Sequence, residues 1–509
     1  MVALALAVTA GSASLGEVMA PGAATSANSV GRLRPSSVAP SPVVTATPES
    51  GVGPPDPPAP GPLAVDPAAW AGHGSLAFVS RGSLEILSDA GTLTAITGPP
   101  SSGYDSSPSW SPDGRWLAFL HTAPGDEFEL PPPTLWLVEA GASAAREVTT
   151  SGVGMFAWSP VGTVLSFTEE PPADSAVPMP EALWFDRPGS PPTDVPLGTG
   201  GGVDTIAWSP NGGAVAFDDV SFPSPSPATS PATEAMGRLG VVSLPGGSVT
   251  TALELAGSGL EVAGWWPDGG GLLFWEDAGF SASLQEGGLA LDSLGAGSTD
   301  PVALATSLVG PPWWAPSSDA NALALVAGGG RTIWSTGRTI EECTLSPATC
   351  RAVATPVGTV GLAPSWTASG ALVFAVGSAS GAFGPEGDAS YTPGYMARWN
   401  GTNELSMLVP DGQPSQLAAA PAGALLAVPA DRGDSMVIVA ADALWLLDPA
   451  TGGPAVRVAG PLFSTLGPSG FYGEVDWSST FAWSDAGGIR QGSAQLLGEG
   501  LELSEPQLP

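Results

Sequence analysis

The chain has 509 residues, 43% hydrophobic and 12% charged, with 48 acidic residues against 14 basic ones and a formal net charge of −34. The apolar share is enough for a continuous core. The charge repels phosphate backbones, which excludes nucleic acid as a partner and disfavours anionic membrane surfaces. Every basic residue is Arg and none is Lys.

At the N-terminus, Val2 to Ala10 is an apolar run followed by small residues from Gly11 to Ser14. This matches the hydrophobic and cleavage regions of a secretory signal without its basic start, and it is too short to span a bilayer. Residues 1–19 are therefore read as a signal-like segment, with an Ala-rich tail as the alternative. Residues 20–67 are rich in Ala, Pro, Ser, Thr and Gly, including GVGPPDPPAPGP from Gly51 to Pro62. That composition predicts a disordered linker, partly polyproline, and a tether to membrane or wall is one use for it. The expected location is extracytoplasmic: secreted, periplasmic or tethered to the envelope.

From residue 68 to 495 the chain repeats itself. Ser107 to Phe119 reads SPSWSPDGRWLAF, with Trp110, Pro112, Asp113, Gly114 and Phe119 as its fixed points. Copies carry Trp158 and Phe167, Trp208 and Phe217, Trp265 and Phe274, Trp314, and Trp366 and Phe374. Fainter copies start at Trp70, Ala419 and Trp477. The motif tryptophans are spaced 48, 50, 57, 49 and 52 residues apart. Each copy is an apolar run, a Pro-Asp-Gly-like turn and a second apolar run, which is a tight β-hairpin. A second hairpin follows, so each unit holds four strands, a to d. Four-stranded units at this period predict an all-β chain forming a single β-propeller. Units start near 105, 154, 203, 261, 311, 362 and 416. An eighth is assembled from Leu76 to Thr97 and a strand around Trp477, which closes the ring by pairing N- and C-terminal segments. Eight blades is the preferred count, seven is next, and the motif start at Trp70 leaves nine open. The motif tryptophans are expected to pack between blades. Residues 496–509 are read as a tail.

The W-S-P-D-G and L-A-F elements, repeated over roughly residues 70 to 490, resemble the repeats of TolB-like propellers, bacterial relatives of WD-type repeats. The resemblance implies a propeller fold and either an envelope scaffold that binds other proteins or a propeller that gates a serine peptidase. The small α/β domain that precedes the propeller in complete TolB proteins has no counterpart in this sequence, which sets a Tol–Pal role aside.

Chemistry-bearing motifs are sparse. The two histidines, His73 and His121, fall in a turn and after a strand. No nucleophile elbow, Walker loop, dinucleotide fingerprint or zinc-type cluster is present. The expectation is a monomeric non-enzyme without cofactor, Ca²⁺ being the one ion the acidic loops could take. Cys343 and Cys350 flank a predicted c–d turn and can form a hairpin disulfide or stay as two thiols; two ligands alone do not make a metal site.

The b–c connections at His121–Pro133, Glu169–Glu181, Val220–Gly237 and Ser378–Met396 are longer than the turns of the opposite face. Long loops on one face of a repeat array mark a binding face. Acidic residues follow strand b there: Asp126, Glu127, Glu169, Glu170, Asp218, Asp219, Glu276 and Asp277, then Asp431 and Asp434. Tyr391 and Tyr395 fall in b–c loops and Tyr104 and Tyr472 in d–a loops of the same face. An acidic, Tyr-bearing face predicts a basic protein, peptide or cationic glycan as partner. The alternative is an enzyme using those carboxylates, with or without Ca²⁺, on a glycan or lactone.

Overall fold

The computed structural model describes residues 62–485 apart from 101, 126–130, 150, 171–181, 199–201, 222–234, 278–287, 311, 318–321, 329–336, 346–347, 381–389, 400, 402–404, 409–423, 431–432, 441, 449–453 and 463–476. All of these lie in the second of the two units into which the chain divides, Met1–Pro58 and Ala59–Pro509.

The described residues form an all-β propeller of antiparallel four-stranded meanders. The first strands of blades 2 to 8 are Tyr104–Trp110, Gly152–Trp158, Ile206–Trp208, Gly259–Trp265, Trp314–Pro316, Val360–Trp366 and Ala424–Pro429. Blade 1 takes its strand a from the far end of the described chain, Phe481–Ser484, which pairs Trp483 with Leu76 and Phe481 with Phe78. Blades 5 and 6 are joined by one pairing, Ser307 with Ala327. Strand b of each blade is apolar almost throughout because both its faces are buried: Leu117 and Phe119 pack toward blade 1, Ala118 and Leu120 toward blade 3. Each hydrophobic cluster draws on consecutive blades, and the one containing Leu76, Val437, Val439 and Trp483 joins blade 8 to blade 1.

The boundary at residue 68 needs correcting. Ala64–Val65 already pairs with Val456–Gly460 as a fifth strand on blade 8, so the last residues read as linker belong to the sheet. Trp70 does not begin a motif strand; it ends the short helix Pro67–Trp70 and donates its indole N–H to the Gly74 carbonyl.

The motif turn forms for the reasons its residues suggest. Ser111 Oγ donates to Asp113 Oδ1 (2.6 Å) and accepts from Trp116 N–H (3.0 Å), while Gly114 takes φ +67°. Ser209 and Asn211 repeat this arrangement in blade 4.

The motif tryptophan has a second task. Trp158 Nε1–H donates to the carbonyl of Ser109, Trp208 to Ala157, Trp265 to Ala207, and Trp110 to Ala482. In each case the acceptor is the residue just before the motif tryptophan of the preceding blade. Trp366 likewise reaches Ala315, which identifies the motif position of blade 6 as Pro316, not Trp314. Pro316 pairs with Leu323 as Trp110 pairs with Leu117, and Ser317 N–H bonds Ala322 O as Ser111 N–H bonds Trp116 O. The sequence reading of Trp314 was displaced by two residues because its Trp-Trp pair mimics the motif. Blade 8 also carries proline there, Pro429, paired with Met436. Burial is uneven: Trp110 and Trp158 are 1% exposed, whereas Trp208, Trp265 and Trp366 are half-buried.

Candidate functional site

In every blade strand b runs from its a–b turn toward its b–c connection, so b–c and d–a connections share one face of the ring. The b–c connections span residues 123–133, 171–181, 222–235, 278–288, 328–338 and 381–389 in blades 2 to 7. In blades 1 and 8 they shrink to 81–82 and 441–442. Long b–c connections are thus confined to six consecutive blades.

Acidic side chains converge where blades 3, 4 and 5 meet on that face. Asp218 is wholly buried. Its Oδ1 accepts the backbone N–H groups of Asp204 (3.0 Å) and Thr205 (2.7 Å); its Oδ2 takes the Thr205 hydroxyl and, at 2.8 Å, the N–H of Val262 in blade 5. Burial, and then the nearby Asp204, raise the Asp218 carboxyl well above its ordinary value despite those bonds. Asp204 itself is pushed up to about 6 by burial, Asp219 and Glu170. Asp219 pairs with Arg238 (Nε to Oδ2, 2.5 Å), yet burial raises it more than the guanidinium lowers it. The guanidinium lies over the Phe217 ring, 5.3 Å from its centre. Glu170 folds its carboxyl over Gly154, where a Cβ would come within 2.9 Å of Oε1, and burial raises this carboxyl too. Glu169 accepts from Thr149 Oγ1 (2.7 Å) and Glu276 from Ser258 Oγ (2.8 Å). Burial and Glu276 raise Asp292. Among the described residues, these acids do not bring three carboxylates within coordinating distance of one another.

Several sequence expectations change here. Asp218, Asp219 and Asp277 are buried, so they do not form an exposed docking rim; Asp218 fastens blade 4 to blade 5. Tyr391 and Tyr395 lie in strand c of blade 7 (Ser390–Trp399) rather than in a loop, because strands b and c extend to Ser380 and Ser390. Tyr395 is half-buried against the cluster between blades 6 and 7. Tyr104 starts strand a of blade 2 and is half-buried. Asp434 follows strand a of blade 8, on the opposite face, because Ala424–Pro429 is strand a and not strand b; there it pairs with Arg398 at 2.9 Å. Asp126, Glu127, Asp431 and Tyr472 lie outside the described residues.

Sequence reasoning missed Asp204, Arg238 and Asp105. Asp105 is buried, accepts the Leu84 N–H of blade 1 (2.9 Å) and holds His121 Nδ1 at 2.8 Å. The available signal was a charged residue inside a strand: Arg238 in MGRLGVVS of blade 4 and Asp105 in YDSSPSW of blade 2. Cys343 and Cys350 stand directly opposite on strands c and d of blade 6, Cα–Cα 4.0 Å, and are joined as a disulfide.

No protein-family model matches the chain, and no curated protein resembles it in sequence. Solved structures do. Acylaminoacyl peptidase from Pyrococcus horikoshii is 11% identical with a TM-score of 0.43, over 70% of this chain and 52% of that one. A puromycin-hydrolysing peptidase from Mycobacterium tuberculosis is 16% identical, TM-score 0.40, over 74% and 60%. TolB from Acinetobacter baumannii is 15% identical, TM-score 0.32, over 66% and 63%. The likeness is one of fold. The chain spans about half the length of the first of these relatives. The expectation of a non-enzyme is overturned at this point: the similar structures include peptidases, of which only the propeller part aligns. Among the described residues no helix is long and apolar enough to cross a membrane.

Proposed function

We propose that this propeller is an extracytoplasmic scaffold that binds a basic protein, peptide or cationic glycan on its loop face. The observation that carries this reading is the crowding of carboxyls at blades 3 to 5, where Asp219 and Glu170 raise Asp204, Asp204 raises Asp218, and Arg238 is the one arginine paired within the group among the described residues. Carboxyls that repel one another are stabilised by an incoming cation. Their spread, too wide for one metal ion, suits several contacts along a chain-like partner. The Cys343–Cys350 disulfide and the apolar start of the chain support an oxidising location.

The test is association of an oligo-arginine peptide with the full chain. The association rate should fall as salt rises, since exposed fields are screened over about 8–10 Å at physiological strength. Glu170→Gln with Glu276→Gln should slow association more than it speeds release. Asp300→Asn, in an exposed c–d turn of the other face, should leave it unchanged. Equal effects from both faces would reduce the reading to bulk charge.

A second reading is favoured by one observation: Asp204, at about 6, neighbours Asp219 and Glu170. Carboxyls of separated acidity are the tools of acid–base hydrolysis of a glycan or lactone. Under that reading Asp204→Asn abolishes turnover while leaving peptide binding largely intact.

A further inference from the structure

We propose that the blade 6 hairpin carrying Cys343 and Cys350 is a redox-gated site for a soft divalent cation, closed as the disulfide and opened by reduction, with Glu341 as its third ligand.

Three observations converge on this hairpin. Glu341 lies two residues before Cys343 on the same strand, and alternation puts both side chains on one face; its carboxylate and the two sulfurs lie within 4.8 Å of one another. The adjacent Glu342 points the other way and is occupied, pairing with Arg351 (2.7 Å), which stacks 4.6 Å over Trp399. Glu341, half-buried, has no arginine paired with it among the described residues, and the chain contains no lysine to supply a cation. Finally, the Leu304 carbonyl of blade 5 stands 3.7 Å from Cys350 Sγ, an oxygen already on the same side.

The chemistry balances as follows. A dithiol reductant transfers two electrons and two protons to the disulfide, giving two thiols and oxidising itself to a disulfide. Cation binding then releases the two thiol protons, because the thiolate is the ligand. Two thiolates and one carboxylate make a donor set suited to Zn²⁺, with a fourth position open to water or a carbonyl. Bonds of about 2.3 Å from zinc to sulfur require the sulfurs to part to roughly 3.8 Å, a separation that side-chain rotation reaches while the paired strands stay fixed. Cys350, half-buried on the outer strand, gives the reductant its access, while Cys343 is fully buried.

The experiment titrates Co²⁺, a spectroscopic stand-in for Zn²⁺, into the full chain before and after reduction by a phosphine that does not itself supply thiols. The expected result is a sulfur-to-cobalt charge-transfer band in the reduced chain alone, saturating at one equivalent and displaced by Zn²⁺. Glu341→Gln, which keeps size and shape, should weaken binding by at least about tenfold. Near-UV circular dichroism follows the fold throughout. The inference is overturned if the oxidised chain binds equally, if Glu341→Gln binds like the parent, or if the reduced chain loses its tertiary signal before it takes up cobalt.

Discussion

Consecutive blades are joined in two ways, and the difference shows how a repeat tolerates losing its most conspicuous residue. At the joints from blade 1 through to blade 5, each motif tryptophan both packs and donates its indole N–H to the preceding blade. At the joint between blades 5 and 6 the motif residue is Pro316, which has no side-chain donor. Trp314, two residues upstream and therefore on the same side of the strand, lays its ring over Gly264, where a Cβ would meet it at 2.8 Å. Trp314 thus replaces the packing but not the bond: its Nε1 finds no acceptor among the described residues. Main-chain links stand at this joint instead, Leu308 N–H to Val326 O and the Ser307–Ala327 pairing. At this joint the aromatic ring is kept and the hydrogen bond is not.

That contrast is broken most directly by removing rings. Trp158→Ala should cost about 3–5 kcal/mol, the range for a large aromatic taken from a core, measured by denaturant unfolding. Trp314→Ala should cost nearly as much although it is outside the motif register. Trp208→Ala should cost less than either, since the residue is half-buried. A Trp314→Ala cost below about 1 kcal/mol would mean that ring packing is not what holds the unbonded joint.

The joint between blades 4 and 5 has a second fastening, and its removal should have the next largest effect. Asp218→Ala leaves the N–H groups of Asp204, Thr205 and Val262 without their carboxylate acceptor. Buried donors left unmade cost about 1–3 kcal/mol each; Val262 N–H retains Thr205 Oγ1 at 2.8 Å, so a total of about 2–4 kcal/mol is expected. Val262→Ala, which keeps the N–H, separates this from packing loss.

Indole bonds do not titrate, whereas the acids at blades 3 to 5 do. Asp204 holds its proton up to about 6 in the folded chain against an ordinary value of 3.8. Between those values the folded state binds more protons than the unfolded state, so stability is greatest below and falls as pH rises through about 6. Glu85, Glu170, Asp186, Asp218, Asp219 and Asp292 are shifted in the same direction, each chiefly by burial. The Tm should therefore be higher at pH 5 than at pH 7, and Asp204→Asn should reduce that difference. Asp113 runs the other way: burial would raise it, but bonds from Ser111, Thr163 and the Arg115 N–H hold it low. Its contribution is lost only in stronger acid.

Much of the architecture was legible because a repeat states its period many times over, and each copy carries its own turn chemistry. Trp110, Pro112, Asp113 and Gly114 specify their hairpin locally, and Leu76 to Leu87 needed only a partner strand, which Phe481–Ser484 supplies. Where a copy is degenerate the register slipped, as at Trp314 and in blade 8, because Pro316 and Pro429 are identified only by what they pair with. The candidate site was less legible. Sequence shows that Asp218 and Asp219 follow an apolar run, but not that strand b continues to Ser221 and buries them. Nor does it place Asp204 beside Glu170, a proximity that the packing of blade 4 on blade 3 creates.

The smallest expected effect tests the contrast most sharply. Trp→Phe keeps most of the ring and deletes only the indole N–H. At Trp158 this removes a buried 3.0 Å bond and leaves the Ser109 carbonyl without that donor. At Trp314 it removes a donor that had no acceptor among the described residues. Both substitutions lose similar aromatic area, so the difference between their costs isolates the bond, expected at about 0.5–1.5 kcal/mol. Removing the unpartnered Trp314 N–H should even recover part of the packing loss there, since a buried donor without a partner is itself unfavourable. Equal costs at the two sites would show that the indole bond contributes nothing beyond ring packing, and the two kinds of joint would then be one.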